Sequence, residues 1–369
     1  MYLSQLKLKN FRNYDSLNIE LHENINIFIG DNAQGKTNLL EAIYILGRGK
    51  SYKNYSNDLI MWRKEQSVVE GTVIKERIKD ELKLELKKDS NINILYNEKK
   101  IQKKNLLNKN IYIVLFSPED LKLIKEGPDH RRKFIDNELT MIKPSYGRLI
   151  KDYSKVLFQR NNLLKSIHSH TLVPDTMDIW DEQLIQLGTK IIMQRVNFLK
   201  KINDITKKIH GELTKSKEDI QLYYVSNLIK NHRDLDDLDM LYKKTLKENY
   251  RIDIQRGFTS VGPHLDDIKV SVNDYDVKLF GSQGQQRTVA LSLKLSEIQL
   301  IQVEKIQNPI ILLDDVMSEL DTKRQEEIIR YFKDLQVFIT CTELNFKNYI
   351  QNFNKKIYTI HQGKITSII

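Results

Sequence analysis

The residues best equipped for chemistry form one short run, Gly30-Asp31-Asn32-Ala33-Gln34-Gly35-Lys36-Thr37-Asn38, preceded by the apolar stretch at 25–29. A Gly-x-x-x-x-Gly-Lys-Thr spacing between a strand and a helix is the arrangement that cradles phosphate. Its glycines allow successive backbone N–H groups to turn inward, and the following helix adds its positive N-terminal end. Lys36 then reaches the β- and γ-phosphates of a nucleoside triphosphate, ATP or GTP, and the Thr37 hydroxyl ligates Mg²⁺. A ligand-free glycine turn is the bland alternative, and the strand-and-helix context weighs against it.

A phosphate loop needs an acid on a neighbouring strand to hold the metal. The run Pro309-Ile310-Ile311-Leu312-Leu313-Asp314-Asp315 offers one: four apolar residues make a buried strand, and Asp314 emerges at its carboxyl end. Asp315 is placed to polarise an attacking water; the competing reading is an aspartate that merely ends a strand. The chain between Lys36 and Asp314 is far longer than one compact nucleotide-binding domain requires, so it must build a lobe of its own.

Shortly before the acidic strand stands Phe280-Gly281-Ser282-Gln283-Gly284-Gln285-Gln286-Arg287, opening an amphipathic helix. It resembles the Ser-Gly-Gly-Gln signature of the ATP-binding-cassette superfamily. A serine hydroxyl, a close-approach glycine and free helix N–H groups make a second anion site, although a Ser/Gly helix start is ordinarily a cap. The resemblance implies that Ser282, Gly284 and Gln285 close on the γ-phosphate held by a second subunit. Ser318-Glu319-Leu320-Asp321 matches the loop that crosses the dimer seam in that superfamily; a capping box with Ser318 at the cap is equally open.

The elements that must position these residues follow from periodicity. Alternating apolar residues predict strands over the first thirty positions and at 67–75, 81–87 and 91–96, with a helix from Lys36 to Leu46. Polar-apolar stretches at 129–168, 178–210 and 235–249 read as helices, and 252–280 reads as a strand-like return. Beyond it come a helix at 284–303, a strand at 310–313, a helix at 321–333, a strand at 336–340, a further helix and a final strand pair. The expected class is α/β: a P-loop ATPase head of the cassette type, with a mixed sheet and flanking helices, split by a mainly helical lobe. The head is expected at 1–116 and 285–369, the lobe at 117–284.

With these residues in hand, the chain resembles the RecF family of bacterial recombination-mediator ATPases from end to end. Beyond the phosphate loop, the stretches that carry the likeness are Leu8-Lys9-Asn10-Phe11-Arg12-Asn13-Tyr14 and Gly49-Lys50-Ser51-Tyr52. To them belong Gly127-Pro128-Asp129-His130-Arg131-Arg132-Lys133-Phe134-Ile135-Asp136, Gly262-Pro263-His264 and Asp314-Asp315-Val316-Met317-Ser318-Glu319-Leu320-Asp321. The Gly-Pro-x-x-Arg-Arg block discriminates most, since transporters and chromosome-organising relatives do not share it. The resemblance implies a weak DNA-dependent ATPase, an ATP-dependent homodimer with Mg²⁺ as cofactor, binding duplex DNA at single-strand gaps. It also implies work with RecO and RecR in loading recombinase during DNA repair, replication restart and the SOS response. It carries a nucleotide contact onto Arg12. Three departures stand out: Leu265 occupies the family's usual arginine position, Asp315 is one methylene shorter than the superfamily's glutamate, and no glutamine matches the Q-loop, where Phe116-Ser117-Pro118-Glu119-Asp120 lies. Thr342 sits at the usual switch-histidine position, as a γ-phosphate sensor or a plain strand-end residue.

Composition is compatible with this reading. A net charge of +10 favours an anionic partner such as nucleic acid, though an A/T-rich genome also enriches lysine. Candidate DNA contacts are Arg48, Lys50 and Lys53, the lysines Lys99, Lys100, Lys103 and Lys104, and Arg131 with Arg132; solvated surface charge, or for the arginines a bridge between lobe and head, are the alternatives. One cysteine, Cys341, excludes an internal disulfide, and no segment has the length of a membrane span or the order of a signal peptide, so a cytoplasmic, nucleoid-associated location is expected. The competing functions are the coupling ATPase of a membrane transporter and a phage-defence ATPase; the long lobe argues against the first, and the lack of a spare acid-rich domain against the second.

Overall fold

The computed structural model describes residues 1–53, 57–90, 92–102, 106, 111–168, 177–229, 232–344, 346–351 and 353–369. These fall into two compact units, one of residues 1–120 with 297–369 and one of 121–296.

The first unit holds two six-stranded sheets. One is antiparallel throughout, in the order β2-β1-β4-β5-β6-β7, with β1 at Tyr2–Phe11, β2 at Tyr14–Glu20, β4 at Gln66–Lys75, β5 at Ile78–Lys87, β6 at Asn93–Tyr96 and β7 at Lys99–Ile101. The other runs β15-β14-β3-β13-β12-β8 and is parallel apart from its terminal strand β15. Its members are β3 (Ile25–Ile29), β8 (Ile113–Phe116), β12 (Ile310–Asp314), β13 (Val337–Cys341), β14 (Lys355–His361) and β15 (Lys364–Ile368). Strands β12 and β13 are buried at every position, as a parallel strand covered on both faces must be.

Helix α1 (Lys36–Arg48) follows β3 and contacts strands of both sheets. Leu39, Leu40, Ile43 and Leu46 join Leu3, Leu6 and Leu8 of β1, Val69 and Val73 of β4, and Leu312 and Phe338 in one apolar core. A helix flanked by two sheets must be apolar nearly all round, and this one is. Its single buried acid is Glu41, fully enclosed.

The second unit is mostly helical: α2 (Lys122–Lys125), α3 (Pro128–Ile142), α4 (Pro144–His168), α5 (Met177–Thr214) and α6 (Leu238–Arg256). It also carries a three-stranded antiparallel sheet, β11-β10-β9, from β9 (Ile220–Val225), β10 (Asp267–Val272) and β11 (Tyr275–Asp276), followed by α7 (Val277–Phe280). One element goes unmarked in the sequence and one expectation needs correction. Strand β9 lies in a stretch the sequence reading does not mark, because six residues between long helices give little periodic signal. Residues 252–256 belong to α6, not to a strand: Ile252 and Ile254 alternate around Asp253, but Asp253 is wholly buried against Arg160, and Gly257 closes the helix in the left-handed conformation at φ 69°. Helix α8 (Gln283–Lys305) runs from the second unit into the first, and α9 (Thr322–Tyr331) lies between β12 and β13.

Candidate nucleotide site

The loop between β3 and α1 is held open by backbone that only certain residues tolerate. Gly35 has φ 112°, and a Cβ there would lie 2.5 Å from the Asn13 side chain. Ala33 is also left-handed, at φ 64°. Neighbouring strands brace the loop from outside. Asn13 Nδ2 donates to the Gln34 carbonyl at 3.1 Å, and Tyr14 Oη donates to the Gly35 carbonyl at 3.1 Å. Asn38 Nδ2 donates to Asn13 Oδ1 at 2.9 Å, and the turn between β14 and β15 contributes Gly363 N to the Gln34 carbonyl at 3.0 Å. Asp31, Asn32 and Ala33 face outward, whereas Gly35 and Lys36 are buried.

Lys36 Nζ lies within the loop, donating to the carbonyls of Gly30 at 2.7 Å and Asp31 at 3.0 Å. Among the described residues no carboxylate oxygen is within ion-pair distance of it. Thr37 Oγ1 donates to Asp314 Oδ1 at 2.8 Å, so the two predicted metal ligands stand side by side although 277 positions apart. A hydroxyl and a carboxylate oxygen are hard donors, and Mg²⁺ needs only one or two protein ligands because it keeps waters. The pair fits that ion.

Asp315 follows at φ 53°, its N–H bonded to Thr340 Oγ1 at 2.9 Å. Burial raises its carboxyl above the usual aspartate range, with Lys36 opposing and Asp314 reinforcing the shift. Thr340 also approaches Asp314 Oδ1 at 3.1 Å. The contact near the acids is therefore Thr340, whereas Thr342 is exposed. Cys341 is buried, and burial pushes its thiol up to about 12, far from reactive.

Three side chains have partners that sequence reasoning does not give. Glu41 accepts two bonds from Arg12, Nε and Nη2 each at 2.9 Å, so the Arg12 guanidinium is directed at Glu41. Ser51 Oγ donates to the same carboxylate, and Tyr52 Oη donates to Asp314 Oδ2 at 3.0 Å. One clue exists for Glu41: it is the sole acid on an otherwise apolar helix. Ser51 and Tyr52 stand in the Gly49–Tyr52 stretch that resembles the family, but nothing in the sequence ties either side chain to Glu41 or Asp314.

The signature run opens α8 in the second unit. Ser282 N donates to Gln285 Oε1 at 2.9 Å and Gln285 N to Ser282 Oγ at 3.2 Å, the reciprocal pair of a capping box. Gln285 Nε2 also reaches Glu218 Oε1 at 3.0 Å, and Glu218 Oε2 pairs with buried His210. The expected cap at Ser318 is not found. Ser318 Oγ bonds the Asp315 carbonyl inside a short turn, and Asp321 caps α9 by accepting from Arg324 N. An aspartate directly before the first helical turn is the better-placed acceptor.

The Arg131-Arg132 pair is occupied inside the lobe. Arg131 is buried, with two bonds to Asp267 at 2.7 and 2.9 Å and two more to the carbonyls of Leu123 and Glu126. Arg132 bonds the Asp266 carbonyl and pairs with Asp129. Both arginines are thus engaged by partners within the second unit. Gly262-Pro263-His264 is likewise structural: Gly262 has φ 129° with the Tyr242 hydroxyl where a Cβ would stand, Pro263 O accepts from Arg195, and His264 bonds Tyr153. Leu265 is exposed beside it. Lys99 and Lys100 are exposed on β7, and Lys50 is exposed after α1. Arg48 instead bonds the Ile113 carbonyl and lies over the Tyr44 ring. Lys103 and Lys104 lie outside the described residues. Among the described residues no helix is long and apolar enough to cross a membrane.

Comparison with known proteins agrees with this geometry. The RecF/RecN/SMC N terminal domain family matches residues 2–366. The chain is 42% identical over 366 residues to the DNA replication and repair protein RecF of Clostridium tetani, covering 99% of each, and 41% identical over 367 residues to that of Alkaliphilus oremlandii, covering 99% of this chain and 100% of the relative. A solved structure of the recombination mediator protein RecF-ATP in the RecFOR pathway superposes with a TM-score of 0.91 at 34% identity, covering 100% of this chain and 97% of that one. An SMC head from Pyrococcus furiosus shares the fold at a TM-score of 0.56 and 14% identity, covering 100% of this chain and 96% of its own. The phosphate loop, the Thr37–Asp314 pair and a match over 99% of the chain at 42% identity place the chain in the RecF family, within the wider group of SMC-like ATPases.

Proposed function

We propose that this protein is a DNA-gated ATP switch of recombinational repair. ATP binds at the Gly30–Asn38 loop, two copies close on duplex DNA beside a single-strand gap, and slow hydrolysis reopens them. Partnership with RecO and RecR in loading recombinase follows from the family, as does a location with the bacterial nucleoid. The observation that carries the reading is the Thr37–Asp314 pair beside Lys36, with Asp315 next to it.

The chain's own residues divide the work. Lys36 meets the β- and γ-phosphates, and backbone N–H groups of the loop and of α1 bind their oxygens. Thr37 and Asp314 hold Mg²⁺, which when bound offsets charge on the phosphates. Asp315 accepts a proton from the attacking water; its burial strengthens it as a base. Its short side chain suits slow turnover. Ser282, with Gly284 and Gln285, supplies the second half-site from the other copy, its helix start already ordered by the capping box. By analogy with the family, the exposed Lys50, Lys99 and Lys100 are the lysines that meet DNA phosphates in this reading. Such contacts weaken steeply with salt.

The test is ATP hydrolysis against protein concentration, with and without gapped duplex, for the unmodified protein and Ser282→Arg. Second-order dependence, stimulation by DNA, and loss of turnover with retained ATP binding in Ser282→Arg are expected. Normal hydrolysis by a monomeric Ser282→Arg variant would refute the two-copy mechanism.

A further inference from the structure

The metal-holding acid has a third partner with no assigned role. Asp314 Oδ1 faces Thr37 Oγ1 at 2.8 Å and Thr340 Oγ1 at 3.1 Å, while Oδ2 accepts from Tyr52 Oη at 3.0 Å. Rotation of a carboxylate about its last torsion is otherwise loosely restrained. A donor fixed on Oδ2 sets that rotation and keeps Oδ1 turned toward Thr37.

Tyr52 is itself held firmly. Gly49 ends α1 in the left-handed conformation at φ 62°, with its N–H bonded to the Ile45 carbonyl at 2.7 Å, which fixes the direction in which the chain leaves the helix. Ser51 Oγ donates to buried Glu41 and accepts from Lys53 N at 2.8 Å, folding the loop back on α1. Glu41 is in turn clamped by both Arg12 bonds. The Tyr52 ring stands edge-on to Tyr44 at 5.2 Å, with the Lys53 ammonium 5.8 Å from its centre. Arg12, Glu41, Ser51, Tyr52 and Asp314 thus form one continuous line of support within the first unit.

We infer that Tyr52 is a positioning residue for the metal-holding pair, setting the Asp314 carboxylate so that Thr37 and Asp314 can share one divalent cation. The inference rests on the nucleotide reading above and assigns to the segment after α1 a task within it. It also gives Arg12 a role: the guanidinium supports Glu41 and, through Ser51, the loop that carries Tyr52.

Tyr52→Phe keeps the ring and deletes the donor. A lost bond to a charged acceptor should raise the Mg²⁺ concentration for half-maximal binding of a fluorescent ATP analogue by about five- to fiftyfold. Affinity for the same analogue in excess EDTA should stay within about twofold, and Mn²⁺ electron paramagnetic resonance should show a matching loss of metal affinity. Tyr44→Phe, which removes the neighbouring hydroxyl, should leave the Mg²⁺ dependence unaltered. An unshifted Mg²⁺ dependence in Tyr52→Phe would overturn the inference, as would an equal loss of binding with and without metal, the mark of a plain structural brace. Failure of the unmodified protein to bind the analogue at all would instead overturn the nucleotide reading and this inference with it.

Discussion

The lysine of the head's phosphate loop and the buried arginines of the lobe are held in opposite ways. In the lobe each buried arginine meets an acid: Arg131 with Asp267, Arg195 with Asp136, and Arg160 with Asp181 and Asp253. In the head, Lys36 is enclosed by carbonyl dipoles, with no acid in ion-pair range among the described residues. A charge matched by an acid is a structural part; a charge held only by dipoles remains available to an anion. Both regions show glycines in the left-handed region and dense polar motifs, so motif density alone does not distinguish a ligand site from a polar core. Charge balance does.

The largest effect that could break this contrast is at Arg160, which is wholly buried with Asp253 wholly buried beside it. Arg160→Ala strands Asp253 and should cost about 3–5 kcal/mol of folding stability, read from the denaturant midpoint. Any molecules that do fold should bind ATP normally. Lys36→Ala should show the reverse pattern, with nucleotide affinity down at least about a hundredfold, worth about 2.7 kcal/mol, and stability changed by less than about 1.5 kcal/mol. If Arg160→Ala lost nucleotide affinity in proportion to stability, or Lys36→Ala unfolded the head, the division between structural and available charge would fail.

A second test uses pH. Burial pushes the Asp266 carboxyl up from 3.8 to about 6, although its Oδ2 accepts from Tyr224 Oη at 2.5 Å. The sign follows from proton counting: between the two values the folded chain binds more protons than the unfolded one. This group's contribution is therefore most favourable below the lower value and is lost as pH rises toward the upper one. The loss is about 3 kcal/mol at most. Asp266→Asn removes it, so the variant's stability relative to the unmodified protein should climb by up to that amount between about pH 3.5 and 7. His264 and His210, both lowered by burial, titrate in the opposite sense, but they are present in both proteins and drop out of the difference. A flat difference would show that Asp266 is charge-compensated after all.

How far the sequence discloses each region follows the same line. The head's phosphate loop is legible because phosphate recognition imposes fixed glycine positions on contiguous residues, and a buried parallel strand such as β12 reads as an uninterrupted apolar run. The partners of Arg131 and Arg132, Asp267 and the Asp266 carbonyl, are not legible because they stand more than 130 positions away. The partners of Glu41 and Tyr52 go unseen for the same reason, being Arg12 and Asp314 across the fold. Arg12 is legible as a residue near the site, but its acceptor is not. Strand β9 is lost because its pairing with β10 is long-range, while the helices around it dominate the local pattern.

The smallest effect sharpens the contrast most, because the same deletion can be made in both regions. Thr340 Oγ1 accepts the Asp315 N–H at 2.9 Å and approaches Asp314 Oδ1 at 3.1 Å, and the residue is fully buried. Thr259 is also buried; its Oγ1 accepts from Arg160 Nη1 at 2.9 Å and donates to Asn161 Oδ1 at 2.7 Å. Threonine to valine keeps the shape and deletes the hydroxyl, costing about 1–2 kcal/mol at either position by leaving a buried group without its partner. In the head that loss acts on Asp315, whose left-handed backbone is tied down by the Thr340 contact. At saturating Mg²⁺, where the lost contact to Asp314 is masked, Thr340→Val should therefore lower kcat about three- to tenfold, with KM changed by less than about twofold, since the phosphate loop is untouched. Thr259→Val should lower stability with both kinetic constants unchanged. Were Thr340→Val to raise KM as much as it lowers kcat, the threonine would be supporting the loop rather than the acid, and the base assigned to Asp315 would lose its anchor.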